Sequence, residues 1–274
     1  MRFALLCSGS KGNSFYIEDQ GTRVLIDCGG TKKYLFSALE KLHVSPDDLD
    51  GLVITHDHSD HISQIRFFQN IPVYSPVTLL DIPTFDVRPK QRFTIGSLVF
   101  TPVPLSHDAC HTMGYVIDNG QEKLVYITDT GYLPSRYQTL LQGADYYVLE
   151  CNHDVGMLMR TSRPQYLKQR ICSDEGHLNN EDCAEALAHY IDLNTKLVIL
   201  AHISQQANTR QKALDTVIDR LQEEKDHCRK DLVICAAGQF EMIRKGEEDE
   251  EMDPGTVSSP VHLEYRADNY PCFQ

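Results

Sequence analysis

The sequence predicts a four-layer α/β fold, in which two β-sheets pack together and helices cover their outer faces. Short apolar runs of β-type composition, broken by turn residues, occupy residues 3–55 and again residues 71–128. Both β-rich parts are followed by apolar residues at helical spacing. The 274 residues are 41% hydrophobic, which suits one large domain or two small ones, and no short repeat is present.

The first β-rich part alternates strands with helices. Leu35, Leu39 and Leu42 have the spacing of one helix face. Ser59 can cap a second helix, whose apolar face we expect within residues 62–68. The predicted strands here are Phe3–Cys7, Ser14–Ile17, Arg23–Ile26 and Gly51–Thr55.

The rest of the chain is first β-rich and then alternates strands with helices, which would complete a second sheet and its outer layer. The predicted strands are Ile71–Tyr74, Arg92–Ile95, Leu98–Val103, Tyr115–Ile117, Leu124–Thr128, Tyr146–Leu149, Leu197–Leu200, Leu232–Cys235 and Phe240–Ile243. The predicted helices are Glu181–Tyr190 and Thr209–Leu221.

The composition changes at Gly246. Glu247–Glu251 are five consecutive acids, and the residues after them are mostly polar. We therefore divide the chain into a folded domain at 1–245 and an acidic, flexible tail at 246–274, in which Val261–Tyr265 could form a short docked strand.

The net charge of −13 argues against coating nucleic acid or membrane through bulk positive charge. Much of this charge lies in the tail, because residues 247–274 contain eight acids and one base, so the remainder carries only −6. A nucleic-acid substrate is therefore compatible with the composition, provided that a local basic rim borders the site.

The nine cysteines predict a reducing environment. Their number is odd and no pair has CxxC spacing, so a disulfide framework is not expected. The apolar run Phe3–Cys7 is too short for a signal peptide, and no run approaches the roughly 18–20 residues that cross a bilayer. These features predict a soluble cytoplasmic protein that does not bind membrane.

The strongest motif is the segment HDHSDH at residues 56–61, directly after the strand Gly51–Thr55. Imidazole and carboxylate groups are good ligands for Zn, Mn or Fe. Alternate residues of an extended turn splay apart, so His56 and His58 can serve one ion. Asp60 and His61, in the first helical turn, can then face a second ion.

This motif resembles the metal-binding turn of the metallo-β-lactamase fold. The resemblance implies an αββα sandwich of two mixed β-sheets flanked by helices, with further ligands at later strand ends. The candidates are His107 in PLSHDA, Asp129 in YITDTG and His202 in ILAHIS. One divalent ion would then lie between His56, His58 and His107, and the other between Asp60, His61 and His202, with Asp129 bridging them. His111 is the alternative to His107, which is preferred because it lies closer to the strand Leu98–Val103.

Four further stretches resemble the WalJ/YycJ family, a nuclease-type branch of this superfamily. They are SGSKGNS, SHDACHTMGYVI, ITDTGY followed by LECNHD, and DEGHLNN leading to LAHIS. The flavodiiron branch is disfavoured because it has Glu where this chain has His58. Membership of the WalJ/YycJ family implies exonuclease action on double-stranded DNA.

Asp60 and Asp129 are catalytic candidates as well as predicted metal ligands, and the family resemblance adds two more catalytic candidates. It places His177 close to the metals without being a ligand, where it can donate a proton to a leaving oxygen or bond a phosphate oxygen. Glu150 could orient that imidazole. The family usually reads GHLS, whereas this chain has Asn179.

Two segments are candidates for substrate contact besides His177. In SGSKGNS, Ser8, Asn13 and Ser14 could contact a phosphate, although a tight turn explains the glycines equally well. Residues 155–172 contain no acids, and this segment could hold a phosphate backbone or be a solvated helix face. Its basic residues are Arg160, Arg163, Lys168 and Arg170.

The sequence thus predicts a metal-dependent phosphodiesterase that acts on nucleic acid, a DNA exonuclease in the first place, in which hydroxide held between two ions attacks phosphorus. A hydrolase of a small phosphodiester or thioester is the alternative, and a metal-stabilised scaffold protein is a third reading. The choice of metal (Zn, Mn or Fe), DNA against RNA, the polarity of digestion and the oligomeric state stay open at this point.

Overall fold

Two mixed β-sheets form the centre of the computed structural model, which describes residues 1–79, 81–245 and 261–262. The strands are β1 (Arg2–Cys7), β2 (Ser14–Asp19), β3 (Thr22–Ile26), β4 (Gly51–Val53), β5 (Val73–Ser75), β6 (Phe85–Asp86), β7 (Phe93–Ile95), β8 (Leu98–Pro104), β9 (Met113–Asp118), β10 (Lys123–Ile127), β11 (Tyr146–Glu150), β12 (Leu197–Ala201), β13 (Val233–Ala236), β14 (Ile243–Lys245) and β15 (Val261–His262). The α-helices are α1 (Lys32–Glu40), α2 (Ser59–Ile62), α3 (Gln138–Leu141), α4 (Val155–Arg160), α5 (Gln165–Ile171), α6 (Asn180–Tyr190) and α7 (Arg210–Glu223).

The seven-stranded sheet has the order β14-β1-β2-β3-β4-β5-β6, and the eight-stranded sheet has the order β15-β13-β12-β11-β10-β9-β8-β7. Strands β3 to β6 pair in parallel, and so do β10 to β13. The carboxyl ends of parallel strands meet at one edge of a sheet. Because β9 is antiparallel to β10 and β8 to β9, the loop from β8 to β9 lies at that same edge.

Alternation along the strands separates the inner from the outer core. Phe3 and Leu5 of β1 pack between the sheets, against β9–β12 residues such as Tyr126. Ala4 and Leu6 instead face helix α1. On the other sheet, α6 and α7 cover outward residues of β10–β13 in the same way. The predicted four-layer architecture is confirmed.

Most predicted strands and helices are present, with ends shifted by a few residues. Ser59 is not the cap of α2, because His58 occupies the N-cap position and the helix ends at Ile62, followed by a 3₁₀ turn. Strand β14 begins at Ile243, whereas the sequence predicted a strand that begins at Phe240. Sequence patterns missed the two-residue strand β6 and the short helices α3–α5, whose few apolar residues define no clear period.

Residues 246–260 and 263–274, and with them most of the predicted tail, lie outside the described residues. Val261–His262 pairs antiparallel with Val233–Ile234 as an edge strand of the eight-stranded sheet. The domain boundary at residue 245 stays a prediction. No helix in the described part of the chain combines the length and apolar character that crossing a bilayer requires.

Candidate metal centre

The HDHSDH segment lies in the loop and helix that follow β4. His56 is fully buried, His58 caps α2, and Asp60 and His61 occupy the first turn of that helix. The loop after β3 packs tightly on this turn, since a Cβ on Gly29 would lie 1.7 Å from the Asp60 carbonyl oxygen. Only glycine permits that approach, so the turn and the loop fix each other.

Three later loops bring the other predicted ligands to the same edge. His107 follows β8, Asp129 follows β10 and His202 follows β12. Asp129 and His202 have positive φ angles of 58° and 54°, which place them in the left-handed region at a cost of about 1–2 kcal/mol each. Strain of this kind is concentrated at functional sites, where surrounding contacts hold it.

The predicted ligands form groups whose donor atoms lie within 4.8 Å of one another. One group is His56, His58 and His107, and another is Asp60, His61 and His202. Asp129 lies between the two groups: its Oδ2 is 3.2 Å from His61 Nε2, and its Oδ1 is 3.5 Å from His202 Nε2 and 3.9 Å from His107 Nε2. His111, the alternative to His107, is exposed and belongs to none of these groups.

Four imidazoles in this cluster are held by their Nδ1 atoms. Thr55 Oγ1 lies 3.0 Å from His56 Nδ1 and Asp27 Oδ2 lies 2.7 Å from His61 Nδ1. His107 Nδ1 is 3.0 Å from the Gly176 carbonyl oxygen, and His202 Nδ1 is 2.8 Å from Glu150 Oε1. An acceptor at Nδ1 fixes the orientation of each ring, so that Nε2 is the nitrogen directed at the centre.

The residues fit a bound cation because several donors lack any other partner. His56 Nε2, His202 Nε2 and Asp129 Oδ2 are buried and have no hydrogen-bond partner. Leaving a buried polar atom unpaired costs roughly 1–3 kcal/mol, so three at one centre indicate a missing ligand. Imidazole nitrogens and carboxylate oxygens are the donors that divalent transition metals take.

Charge interactions shift the pKa values of this cluster in the metal-free protein. Burial lowers the pKa of His202, but Asp129 and Glu150 outweigh it and raise that pKa to about 9. Burial raises the pKa of Asp129, while His202 and His61 hold it well below its usual range. Burial also lowers the pKa of His56, which keeps this ring neutral. A cation that binds here must displace protons from His202.

Glu150 connects the cluster to His177. Its Oε1 lies 2.8 Å from both His177 Nδ1 and His202 Nδ1, while Oε2 accepts the Thr130 N–H at 2.8 Å. Burial raises the pKa of Glu150, but His177 and His202 outweigh it and lower the pKa to about 2. Glu150 therefore stays ionised and orients two imidazoles, where the sequence predicted one.

Asp27 is a functional residue that sequence reasoning missed. It is fully buried, binds His61 Nδ1, and accepts the Thr55 backbone N–H at 2.8 Å and the Thr55 hydroxyl at 2.8 Å. The available signal was its position, because Asp27 directly follows β3 as the predicted ligands follow their strands. Asp27 therefore holds the His61 ring through Nδ1, on the side away from Nε2.

Three residues that were predicted to contact the substrate are buried in the structure. Ser8 Oγ accepts the His202 N–H at 2.7 Å, and Ser14 Oγ donates to the Asp27 carbonyl oxygen at 3.0 Å. Asn13 Nδ2 lies 3.2 Å from Asp60 Oδ2 and 2.9 Å from His61 Nε2. All three side chains are at most 2% exposed, so they brace the cluster and are out of reach of a polymer.

The basic segment is only partly available. Lys168 is buried and its Nζ donates to the Met159 carbonyl oxygen at 2.7 Å, so this side chain is engaged within the protein. Arg160 is exposed, Arg163 Nε donates to Gln206 Oε1 at 3.1 Å, and Arg170 pairs with Asp108. Three arginines therefore remain near the surface.

Comparison with known proteins decides the family. Residues 22–203 match the model of the beta-lactamase superfamily domain. The chain belongs to the beta-lactamase superfamily. It is 34% identical over 238 residues to exodeoxyribonuclease WalJ of Streptococcus pneumoniae, covering 80% of this chain and 88% of that protein. It is also 34% identical over 237 residues to exodeoxyribonuclease YycJ of Bacillus anthracis, covering 81% and 90%.

A solved superfamily structure supports the fold. The metallo-β-lactamase fold protein YhfI of Bacillus subtilis superposes with a TM-score of 0.66 at 16% identity, covering 89% of this chain and 99% of that one. The predicted fold and the predicted WalJ/YycJ relationship are both confirmed. The superfamily fold and the His/Asp cluster together imply divalent metal ions at this edge.

Proposed function

We propose that this protein is a metal-dependent exodeoxyribonuclease that hydrolyses phosphodiester bonds at a two-metal centre. The observation that carries the proposal is the pair of His/Asp donor groups with Asp129 between them. The chain that holds them is 34% identical over most of its length to proteins named exodeoxyribonuclease. Two adjacent divalent ions suit displacement at phosphorus because they can contact both the attacking and the leaving oxygen.

In this proposal, His56, His58 and His107 hold one ion, Asp60, His61 and His202 hold the other, and Asp129 bridges them. When bound, divalent ions supply Lewis acidity, which lowers the pKa of water toward about 7 and offsets negative charge on phosphoryl oxygens. Zn, Mn and Fe all suit these ligands. Four of the five imidazoles already present Nε2 to the centre, so little reorganisation is needed on binding.

His177 acts on the leaving group in this proposal. Its Nδ1 is held by Glu150 at 2.8 Å and lies 3.8 Å from Asp129 Oδ1, while the side chain stays 16% exposed. The Glu150 carboxylate orients this imidazole, and in this proposal His177 donates a proton to the departing oxygen or bonds a phosphate oxygen. Glu150 is thus a positioning residue that acts through His177 and His202.

The basic surface around α4 and α5 supports a polymer over a small substrate. Arg160, Arg163 and Arg170 lie on or beside α4 and α5, in a segment without acids. Tyr166 on α5 is 72% exposed, which is unusual for a large aromatic side chain. Arginines can bind the phosphate backbone while an exposed ring stacks on a base, and this combination is typical of nucleic-acid surfaces.

We also place the protein in the cytoplasm. The eight cysteines among the described residues are free thiols, and six of them are buried. Reduced cysteines are typical of a reducing compartment such as the cytoplasm.

The test is to add Mn²⁺, Zn²⁺, Fe²⁺ or Mg²⁺ in turn to metal-free protein with end-labelled single- and double-stranded DNA. At least one transition metal should restore stepwise loss of nucleotides, and Asp129→Ala should abolish it because the bridge is gone. Glu175→Ala, in an exposed loop, is the control and should retain full activity.

Two outcomes contradict the proposal. No cleavage of DNA with any ion would exclude an exodeoxyribonuclease. Turnover of bis(p-nitrophenyl) phosphate without cleavage of DNA would instead support the alternative, hydrolysis of a small phosphodiester.

A further inference from the structure

Asp108 is a carboxylate at the cluster with no role so far. It follows His107 in the loop between β8 and β9, and its side chain is 24% exposed. Its Oδ1 lies 3.2 Å from His107 Nε2 and 3.8 Å from His58 Nε2. Both nitrogens belong to the group that, in the proposed function, holds the first ion.

The 3.2 Å separation from His107 Nε2 is close to that between two ligands of one ion, while His58 Nε2 lies slightly farther away at 3.8 Å. Donors at about 2.0–2.2 Å from a tetrahedral metal lie roughly 3.3–3.6 Å apart. The proposed ligands of the second ion have similar spacings, with 3.2 Å between His61 Nε2 and Asp129 Oδ2 and 3.5 Å between His202 Nε2 and Asp129 Oδ1. Asp108 Oδ1 is therefore placed like a ligand.

A hydrogen bond does not account for the contact between Asp108 and His107. The Gly176 carbonyl oxygen can only accept, so His107 Nδ1 carries the ring hydrogen of the neutral imidazole. Nε2 then presents a lone pair to the Asp108 oxygen at 3.2 Å. Two acceptors facing each other repel unless a cation lies between them, which is the situation at a metal site.

Arg170 holds this carboxylate in place. Its guanidinium pairs with Asp108 Oδ2, the oxygen that does not face the imidazoles. The arginine side chain is 51% exposed and reaches the loop from the end of α5. Fixing one oxygen leaves Oδ1 directed at His58 and His107.

We propose that Asp108 is a further ligand of the divalent ion between His56, His58 and His107, and that Arg170 positions it. This inference rests on the metal centre of the proposed function but not on the identity of the substrate. An added carboxylate oxygen makes this site harder than three imidazoles alone, which improves its match to Mn²⁺ and Fe²⁺.

The experiment is a calorimetric titration of metal-free protein with Mn²⁺, and separately with Zn²⁺, without DNA. Asp108→Ala should weaken one binding event by about 10–100-fold, with a larger loss for Mn²⁺, and leave the other event unchanged. Asp108→Asn should show an intermediate loss, because its amide oxygen can still coordinate. Arg170→Ala should show a smaller loss than Asp108→Ala.

Asp174→Ala, an exposed acid in the nearby loop before Gly176, is the matched control and should bind both ions as the native chain does. Circular dichroism of each variant reports whether it is folded. Unchanged affinity in both Asp108 variants would overturn the inference, and so would tighter binding, which would mean that Asp108 competes with the ion. Because DNA is absent, a protein that binds metal in this way yet cleaves no DNA contradicts the proposed function alone.

Discussion

The two edges of the β-sandwich both collect charged residues, yet they differ in how these residues are satisfied. At the carboxyl edge, where β10–β12 end, lies the His/Asp cluster with its unpaired nitrogen and oxygen atoms. At the amino edge, where β10–β12 begin, Glu122 pairs with the amino group of Met1 and with Lys196 and Lys245.

The Glu122 carboxylate at the amino edge is balanced by the protein itself. Lys196 bridges Glu122 at 3.3 Å and Asp145 at 3.0 Å, and the Tyr146 hydroxyl donates to Glu122. Both Glu122 oxygens therefore have hydrogen-bond donors. At the carboxyl edge, by contrast, Asp129 Oδ2 and the Nε2 atoms of His56 and His202 are buried without a hydrogen-bond partner. The difference teaches that a charge cluster indicates a ligand when its donors remain unsatisfied, and structure when they do not.

The largest expected difference between the edges is catalytic. His177→Ala should lower kcat for DNA hydrolysis by about 10²–10³-fold, because the proposed proton donor is lost, with little change in KM. Initial rates on end-labelled DNA measure both constants. His189→Ala, an exposed histidine on α6, should behave like the native enzyme. An unchanged kcat in His177→Ala would remove this residue from the reaction.

The edges should also respond differently to metal. Saturating Mn²⁺ or Zn²⁺ should stabilise the native protein by about 3–4 kcal/mol at 100–1,000 times the dissociation constant, because the ions bind only the folded chain. Thermal unfolding with and without metal measures this shift. Asp129→Ala should lose most of it, whereas Glu122→Gln, at the amino edge, should retain it. Equal shifts in both variants would place the metal outside the cluster.

A smaller effect is expected from Glu150→Gln, which keeps the shape of the side chain but removes its charge. Metal affinity should fall about 10–100-fold, because His202 loses the carboxylate that orients it and increases its basicity. Calorimetric titration measures the change. The kcat of Glu150→Gln should also fall, because His177 loses the carboxylate that orients it. A variant with native metal affinity and native kcat would show that Glu150 is only a packing group.

The smallest effect belongs to the amino edge. Burial raises the pKa of Glu122, but hydrogen bonds from the Met1 amino group and Tyr146 outweigh it and lower the pKa from 4.5 to about 2. A depressed pKa contributes stability above pH 4.5 that is lost as the pH falls toward 2. Glu122→Gln should therefore cost about 1 kcal/mol at pH 7, since the site is partly solvated, without affecting DNA hydrolysis.

Urea unfolding of native protein and Glu122→Gln at pH 7 and at pH 3 checks this prediction. The difference in the free energy of unfolding between the two proteins should shrink at pH 3, because Glu122 is then closer to its pKa and loses part of its stabilising effect. A difference that grows on acidification would contradict the assigned sign.

Sequence patterns predicted the layers and the ligand types but not how each ligand is held. The resemblance to the metallo-β-lactamase fold implied His107, Asp129 and His202, each of which follows a predicted strand. Asp27 has the same position after a strand and was missed, since it lies outside any ligand motif. The polar residues Ser8, Asn13 and Ser14 were assigned to substrate because a sequence does not reveal their burial.

The sequence by itself determined the alternating strands and the His/Asp segment after β4, because local periodicity and residue chemistry are written along the chain. Its resemblance to the metallo-β-lactamase fold supplied the order of the remaining candidate ligands. Only the tertiary structure decided that Glu150 serves two imidazoles, that Lys168 turns inward and that Asp108 faces His58 and His107. Each of these facts depends on contacts between residues distant in sequence, whose geometry is fixed only when the two sheets pack together.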